Sequence, residues 1–245
     1  MQDIWRLPIS WEEELPTELV QRLFEWYNGL SALEGIRLTR KLRSKNIDAV
    51  RGQLRVFTDA SSTEFGVVIY QCTYYKDGSV EVAFVVSKTR VASLKQRTIP
   101  ELELKGACEG VDFMKTVITE LNMNIIDVTF HTETVLKWIQ SKNGKLSVFV
   151  GNRIGKIHRE TAVNQWHHIP VSHNPADWCS RGINPTDVET VTAFHRGPDY
   201  LQQRLDWPKS DRHIEDEDEI ELCVAVLETE PVKHVIDVLV NRNSN

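Results

Sequence analysis

The chain has 245 residues, 29 Lys and Arg against 35 Asp and Glu, 41% hydrophobic residues and a formal net charge of −6. That length allows one or two domains with a sizeable core, and the ordinary mix of charged and aromatic residues excludes a disordered or collagen-like chain. No run approaches the roughly eighteen apolar residues of a membrane span, and the negative balance argues at first sight against a nucleic-acid partner.

The opening, MQDIWRLPISWEEELP, has neither a basic n-region nor an apolar h-region, so no secretory signal is expected. After Pro16 the stretch TELVQRLFEWYNGL predicts a helix that Thr17 can cap, with Leu19, Leu23 and Trp26 recurring on one face. One helix in fifty residues cannot build a core alone. LRVFTDASS (54–62) and EFGVVIYQCTYY (64–75) are β-rich runs, and the KDG turn at 76–78 links the second to VEVAFVVSK (80–88), an antiparallel meander. A long helix is predicted over 98–121, with Thr98 before Pro100 and Leu102, Ala107, Val111, Met114, Ile118 and Leu121 facing the core. NIIDVTFHT (124–132) predicts a buried strand, 134–141 and 147–162 two helices, 164–172 a last strand, and 174–182 a terminal helix closed by Gly182. The order β-β-β-α-β-α-α-β-α implies an α/β fold: a mixed five-stranded sheet, three antiparallel strands then parallel ones, flanked by helices.

Charge divides the chain. Residues 1–50 hold 7 basic and 8 acidic side chains, residues 51–182 hold 16 and 13, and residues 183–245 hold 6 and 14. The last piece includes DRHIEDEDEIE (211–221), which reads as solvated linker, and ELCVAVLETEPVKHVIDVLV, a strand or two without an evident partner. The cysteines Cys72, Cys108, Cys179 and Cys223 form no C-x-x-C pair and read as reduced thiols of an intracellular protein.

Four acids stand where acids are awkward: Asp59 after an apolar strand, Glu103 among Ile99, Leu102 and Leu104, Glu133 at the end of a buried strand, and Asp177 at the start of the last helix. Singly, each has an ordinary explanation as an Asx turn, a helix-dipole partner or a cap. Together they form an ordered set that can converge if the first strand is central and the fourth lies beside it. A converging acidic cluster needs cations, and oxygen-only ligation favours Mg²⁺ or Mn²⁺. Two such ions about 3.5–4 Å apart can support in-line attack of water on a phosphodiester.

In this order and spacing, FTDASS, IPELEL, FHTET and HNPADWCSRG resemble the ribonuclease H domain of BEL/Pao-type retrotransposon polyproteins, a region also labelled a Pao retrotransposon peptidase. SKTRVASLKQRTIPELEL and FVGNRIGKI are close to that family's wording. The resemblance is strong over 51–182 and looser outside, where 1–50 resembles the segment following a reverse transcriptase and 183–245 an acidic linker toward an integrase. It implies a ribonuclease H-like fold, a two-ion Mg²⁺ or Mn²⁺ site, and cleavage of the RNA strand of an RNA–DNA hybrid during reverse transcription. It implies reverse transcriptase and integrase portions of the same polyprotein as partners, no membrane, and a place in the cytoplasm, a virus-like particle or the nucleus.

Carried over, Asp59 bridges both metals, Glu103 and Glu133 hold the ion beside the attacking water, and Asp177 holds the second. The departure is at the fourth strand, where the family pattern is T-D-S and this chain has Thr132-Glu133-Thr134. The added methylene lengthens the reach by about 1.5 Å, and a misplacement of that order costs roughly 10²-fold in rate. His173 lies where ribonucleases H place a mobile His that helps product leave; it also reads as plain surface. Of His167 and His168, one is expected to face the core.

Substrate contacts are expected from the basic run Lys88, Arg90, Lys95 and Arg97, and from Arg153, Lys156 and Arg159 on one helical face, each of which also reads as solvated surface. Thr58 and Ser61, flanking Asp59, can touch 2′-OH groups. Asn174 can bond near the hybrid backbone or merely start the N-P turn, and Trp138 can stack on the hybrid or belong to the core. Two further readings stand beside the nuclease. One is a decayed or domesticated module that binds nucleic acid or protein without cutting. The other is an aspartic peptidase, for which Asp59-Ala60-Ser61 lacks the Gly of a D-[ST]-G loop and a second copy.

Overall fold

The N-terminal residues bury little. In the computed structural model, which describes residues 2–39, 41–43, 48–95, 97–121, 127–141 and 146–203, they form α1 (Gln2–Trp5), α2 (Thr17–Gly29) and a 3-10 turn (Leu30–Gly35). The cap expected at Thr17 is not made: Pro16 is the capping residue, and a proline offers no side-chain acceptor. Leu23 and Trp26, on the face expected to pack, are both 53% exposed, with no element among the described residues covering them. The end of α2 approaches the rest of the chain, where Gly29 abuts Pro185, and Arg22 pairs with Asp3 of α1 at 3.5 Å.

The meander expected from alternation is present as β1 (Ala49–Ala60), β2 (Glu64–Tyr75) and β3 (Val80–Val91). Gly78 closes the second hairpin at φ +83°, a conformation that a Cβ penalises, and its N–H donates to the Tyr75 carbonyl at 3.1 Å. β1 begins at Ala49, so a boundary at residue 50 cuts a strand.

α3 (Ile99–Leu121) returns the chain across the sheet to β4 (Asp127–Thr132), parallel to β1; residues 124–126 of the expected strand lie outside the described residues. α4 (Leu136–Gln140) and α5 (Val148–Glu160) lead to β5 (Trp166–His168), parallel to β4. β5 is shorter than the expected 164–172, since 3-10 turns at Val163–Gln165 and Val171–His173 bracket it and Pro170 has no N–H for a ladder. α6 (Asp177–Arg181) is closed by Gly182 as expected, though it starts later than residue 174. The strand order is β3-β2-β1-β4-β5, the mixed five-stranded sheet that the sequence implies.

Alternation along the strands sorts the core into two layers. Leu54, Val56, Val67 and Ile69 face α3, α4 and α5, with Leu104, Ala107, Val111, Phe130, Trp138 and Ile157. Phe57, Val68, Tyr70 and Cys72 face α6 and the segment beyond it. Each large apolar side chain buried this way contributes about 1.5–3 kcal/mol. Trp138 is core, 8% exposed; Leu121, expected inside, is 49% exposed at the last residue of α3, past the edge of the sheet.

The packed unit does not stop at Gly182. α7 (Val188–Arg196), capped by Asp187, places Phe194 in the second layer, and the Tyr70 hydroxyl donates to the Phe194 carbonyl at 2.6 Å. Leu201 is buried there as well. Residues 188–201 of the expected linker are therefore part of the packed unit; its acidic run and apolar end lie outside the described residues.

Both helical layers approach the sheet through glycines. A Cβ at Gly110 of α3 would meet Thr58 Cγ2 at 2.8 Å, and one at Gly66 of β2 would meet Cys179 Cβ of α6 at 2.2 Å. Gly66→Ala is expected to destabilise the fold by about 1–3 kcal/mol or more, as overpacking does. Gly35→Ala, with nothing within 4 Å, is expected to change it by less than about 0.5 kcal/mol. Urea unfolding midpoints compare the two; equal midpoints would rule out the close α6 approach.

Candidate active site

β1 and β4 run parallel, so their C-terminal ends share one edge of the sheet, where the chain switches direction across β1 and where open α/β sheets bind ligands. Asp59 is the penultimate residue of β1, 6% exposed, and alternation turns it to the α6 side. There the Ser180 hydroxyl donates to its Oδ2. Burial pushes the Asp59 carboxyl up from its ordinary value and nearby Asp177 adds to this, against the lowering effect of the Ser180 hydrogen bond.

Glu103 arrives from the opposite layer on α3, 4% exposed. Thr134, just past β4, holds both its oxygens: the backbone N–H donates to Oε2 and the hydroxyl to Oε1, each at 2.9 Å. Burial pushes this carboxyl up to about 7, and the charges of Asp59 and Glu133 act in the same direction. Glu133 follows the last residue of β4 and is half-buried. Asp177 opens α6, where the Arg181 guanidinium lies 2.5 Å from its Oδ1.

The four expected acids are thus electrostatically linked as a series: Asp177 to Asp59, Asp59 to Glu103, Glu103 to Glu133. Among the described residues, no three His, Cys, Asp or Glu side chains form a group that could hold a metal ion. The donor chemistry nevertheless fits a hard divalent cation. The series is oxygen-only, and two of its members are buried carboxylates pushed toward protonation, a burden that a bound cation relieves.

Ser180, Thr134 and Arg181, each inside one of the acid-bearing motifs, are the side chains that contact these acids, which residue type and spacing alone do not reveal. Several expected contacts with substrate are corrected. Thr58 is 1% exposed and faces Gly110 of α3, since it alternates with Asp59. Ser61 serves the β1–β2 turn, donating to the Ser180 carbonyl at 2.7 Å and accepting from the Glu64 N–H at 3.1 Å. Asn174 is 4% exposed; its amide donates to the Thr58 carbonyl at 3.0 Å and its oxygen accepts from the Ala176 N–H at 3.1 Å, which ties the loop before α6 to β1.

His173 is exposed, its ring 2.9 Å from the Ser172 hydroxyl, and its carbonyl accepts from the Tyr200 hydroxyl at 2.7 Å. His167 is exposed, whereas His168 is half-buried with its Nδ1 buried, so His168 is the one that faces inward. Lys88 and Arg90 lie 3.5 and 3.4 Å from Glu109, and Arg97 lies 3.3 Å from Glu101. Arg153 stacks on Phe149, and Lys156 pairs with Asp112. Lys95 and Arg159 are exposed.

Residues 1–134 match the family model described as the Pao retrotransposon-like RNaseH-like domain, and the chain belongs to that family. The match includes Asp59, Glu103 and Glu133 and ends before Asp177. With the strand order above, the fold is ribonuclease H-like. Among solved structures, RNase H1 from the halophilic archaeon Halobacterium salinarum NRC-1 is 11% identical, with a TM-score of 0.35 over 58% of this chain and 98% of that one. An N-terminal RNase H domain from Mycobacterium tuberculosis has the same identity, coverage and TM-score. LC11-RNase H1, in complex with an RNA/DNA hybrid, is 11% identical with a TM-score of 0.35, covering 56% of this chain and 99% of that one. No curated protein matches. No helix among the described residues is long and apolar enough to cross a membrane.

Because Glu103 titrates near 7 when folded and near 4.5 otherwise, the folded protein binds more protons in that window and loses stability as pH rises through it. Glu103→Gln is expected to gain on the wild type by up to roughly 3 kcal/mol between the two ends of the window. Urea unfolding in a chelator across this pH range reads the difference; a gap that does not change with pH would contradict the raised carboxyl.

Proposed function

We propose that this domain is a divalent-metal-dependent endonuclease that cleaves the RNA strand of RNA–DNA hybrids during retrotransposon reverse transcription. The observation that carries it is the linked series Asp177–Asp59–Glu103–Glu133 at the C-terminal ends of β1 and β4, with two members buried and pushed toward protonation. Asp59, Glu103, Glu133 and Asp177 would hold two Mg²⁺ or Mn²⁺ ions. Such ions, when bound, supply activation of water and stabilisation of the charge that develops on phosphate oxygens.

The chain's own residues do the rest. Asp59 is central and is held by Ser180; Glu103 is fixed at both oxygens by Thr134; Arg181 balances Asp177. These donors orient the carboxylates and limit their mutual repulsion. The segments before β1 and beyond the packed unit are read as connectors toward reverse transcriptase and integrase portions of one polyprotein. The peptidase reading has no support from this geometry, since among the described residues the groups acting on Asp59 are Ser180, Asp177 and Arg181, with Glu103 feeling its charge, rather than a second Asp loop.

A second reading, a module that binds without cutting, is favoured by one residue: Glu133 stands where the resemblance implies an Asp. Cleavage of labelled RNA in an RNA–DNA hybrid separates the two. With Mn²⁺ or Mg²⁺ the wild type is expected to cut and Asp59→Asn to lose at least about 10²-fold. An inactive wild type with activity restored in Glu133→Asp would assign the loss to that one methylene. If neither cuts, the enzyme reading fails.

A further inference from the structure

Residues 169–176 carry the chain from β5 to α6 and so decide where Asp177 and Ser180 stand beside Asp59. Within this loop, the peptide that joins His173 to Asn174 is held at both poles. Its N–H, on Asn174, donates to the Val171 carbonyl at 3.0 Å. Its carbonyl, on His173, accepts from the Tyr200 hydroxyl at 2.7 Å. The buried Asn174 side chain then binds the carbonyl of Thr58, the residue before Asp59, and the Asp177 N–H donates to the Asn174 carbonyl at 3.0 Å. A peptide is planar, so its N–H and C=O turn together. Rotating this one unit would shift the anchor on β1 and the first residue of α6 at once, because both are built on Asn174.

Tyr200 reaches the loop from 27 residues further along the chain, beyond every acid-bearing motif. It sits in the 3-10 turn Asp199–Leu201, which is fixed by Leu201, buried in the second core layer. Gly197 lets the chain turn there. Its φ is +77°, and a Cβ on it would lie 3.1 Å from both Tyr70 and Val82. α7 also meets α6 directly, with the Phe194 ring edge-on to Trp178 at 5.7 Å. Burial pushes the Tyr200 phenol far above its ordinary value, so the hydroxyl stays protonated and stays a donor.

We propose that Tyr200 is a positioning residue for Asp177: by fixing the peptide between His173 and Asn174, it holds α6 where Asp177 and Ser180 flank Asp59. This inference rests on the metal-nuclease reading for what those carboxylates do. Tyr200 acts through the loop rather than on the reacting groups. One such hydrogen bond favours the held loop by about fivefold, and a reacting group misplaced by about 1 Å costs up to roughly 10²-fold in rate. The packed segment after Gly182 is thus a working part of the site, not a spacer behind it.

The test compares Tyr200→Phe with Tyr75→Phe in the full chain. Tyr75 is a matched control: it is buried, and its hydroxyl donates to Glu81 beside the β2–β3 turn, at the opposite end of the sheet from Asp59. Amide hydrogen exchange without metal, read by mass spectrometry, is expected to rise about fivefold over residues 171–181 in Tyr200→Phe, with β1 to β3 as in the wild type. Tyr75→Phe is expected to leave 171–181 unchanged. Mn²⁺ affinity, read by electron paramagnetic resonance, is expected to fall about fivefold in Tyr200→Phe alone. On a labelled RNA–DNA hybrid, kcat is expected to fall about tenfold in that variant, with KM within about twofold, because the substrate itself is not touched. Unchanged exchange at 171–181 in Tyr200→Phe, or an equal rise there in Tyr75→Phe, would overturn the positioning role. Full cleavage by Tyr200→Phe beside an active wild type would overturn it too, and leave the nuclease standing. A wild type that binds Mn²⁺ but cuts nothing, with loop-confined exchange and weaker Mn²⁺ binding in Tyr200→Phe, supports the positioning role and overturns the nuclease. A wild type that binds no Mn²⁺ overturns both.

Discussion

The distance at which helices pack onto β1 and β2 sets everything at this site. Asp59 is placed by a central strand, but its neighbours come from opposite layers, Glu103 on α3 and Asp177 with Ser180 on α6. Neither helix could lie close enough if a Cβ stood at Gly110 or Gly66, where Thr58 and Cys179 occupy that space. Close-packed interiors do not deform continuously, so two missing methyl groups fix the positions of three side chains.

That closeness has an electrostatic cost. Asp59 and Glu103 are taken out of water beside like charges, and both carboxyls rise as a result. The chain offsets part of this with hydrogen-bond donors rather than with buried cations. Ser180 serves Asp59, and Thr134 serves both oxygens of Glu103. The only cation in direct contact with the series among the described residues is Arg181, at its exposed end on Asp177. A site that holds carboxylates this way keeps its charge open to a small divalent ion, which is the electrostatic basis for the metal-dependent reading.

Among the described residues, the flank of α3 facing α5 shows the opposite imbalance, with Lys105 and Arg153 left over after Glu101, Glu109 and Asp112 have found partners. The overall −6 hides this arrangement, because 14 of the 35 acids lie beyond residue 182 and the middle of the chain has more basic than acidic side chains.

The sheet was legible because strands of alternating and continuous apolar residues, punctuated by turns such as KDG, have few other ways to bury themselves. The four acids were legible because each interrupts such a pattern. What the linear order could not show is direction. Whether Thr58 or Ser61 faces a substrate depends on which layer covers each face of β1, and whether Asn174 reaches outward depends on a carbonyl 116 residues away. The face of α2 that looked like a core surface is exposed, since amphipathic spacing says nothing about whether a partner lies within reach. Local sequence by itself determined the elements, their order and the identity of the acidic side chains, because these follow from periodicity and residue chemistry. Only the tertiary structure decided that Ser180 and Thr134 hold those acids and that Lys105 and Arg153 remain unbalanced, because ion pairs and hydrogen bonds are settled by what the fold brings within a few ångströms.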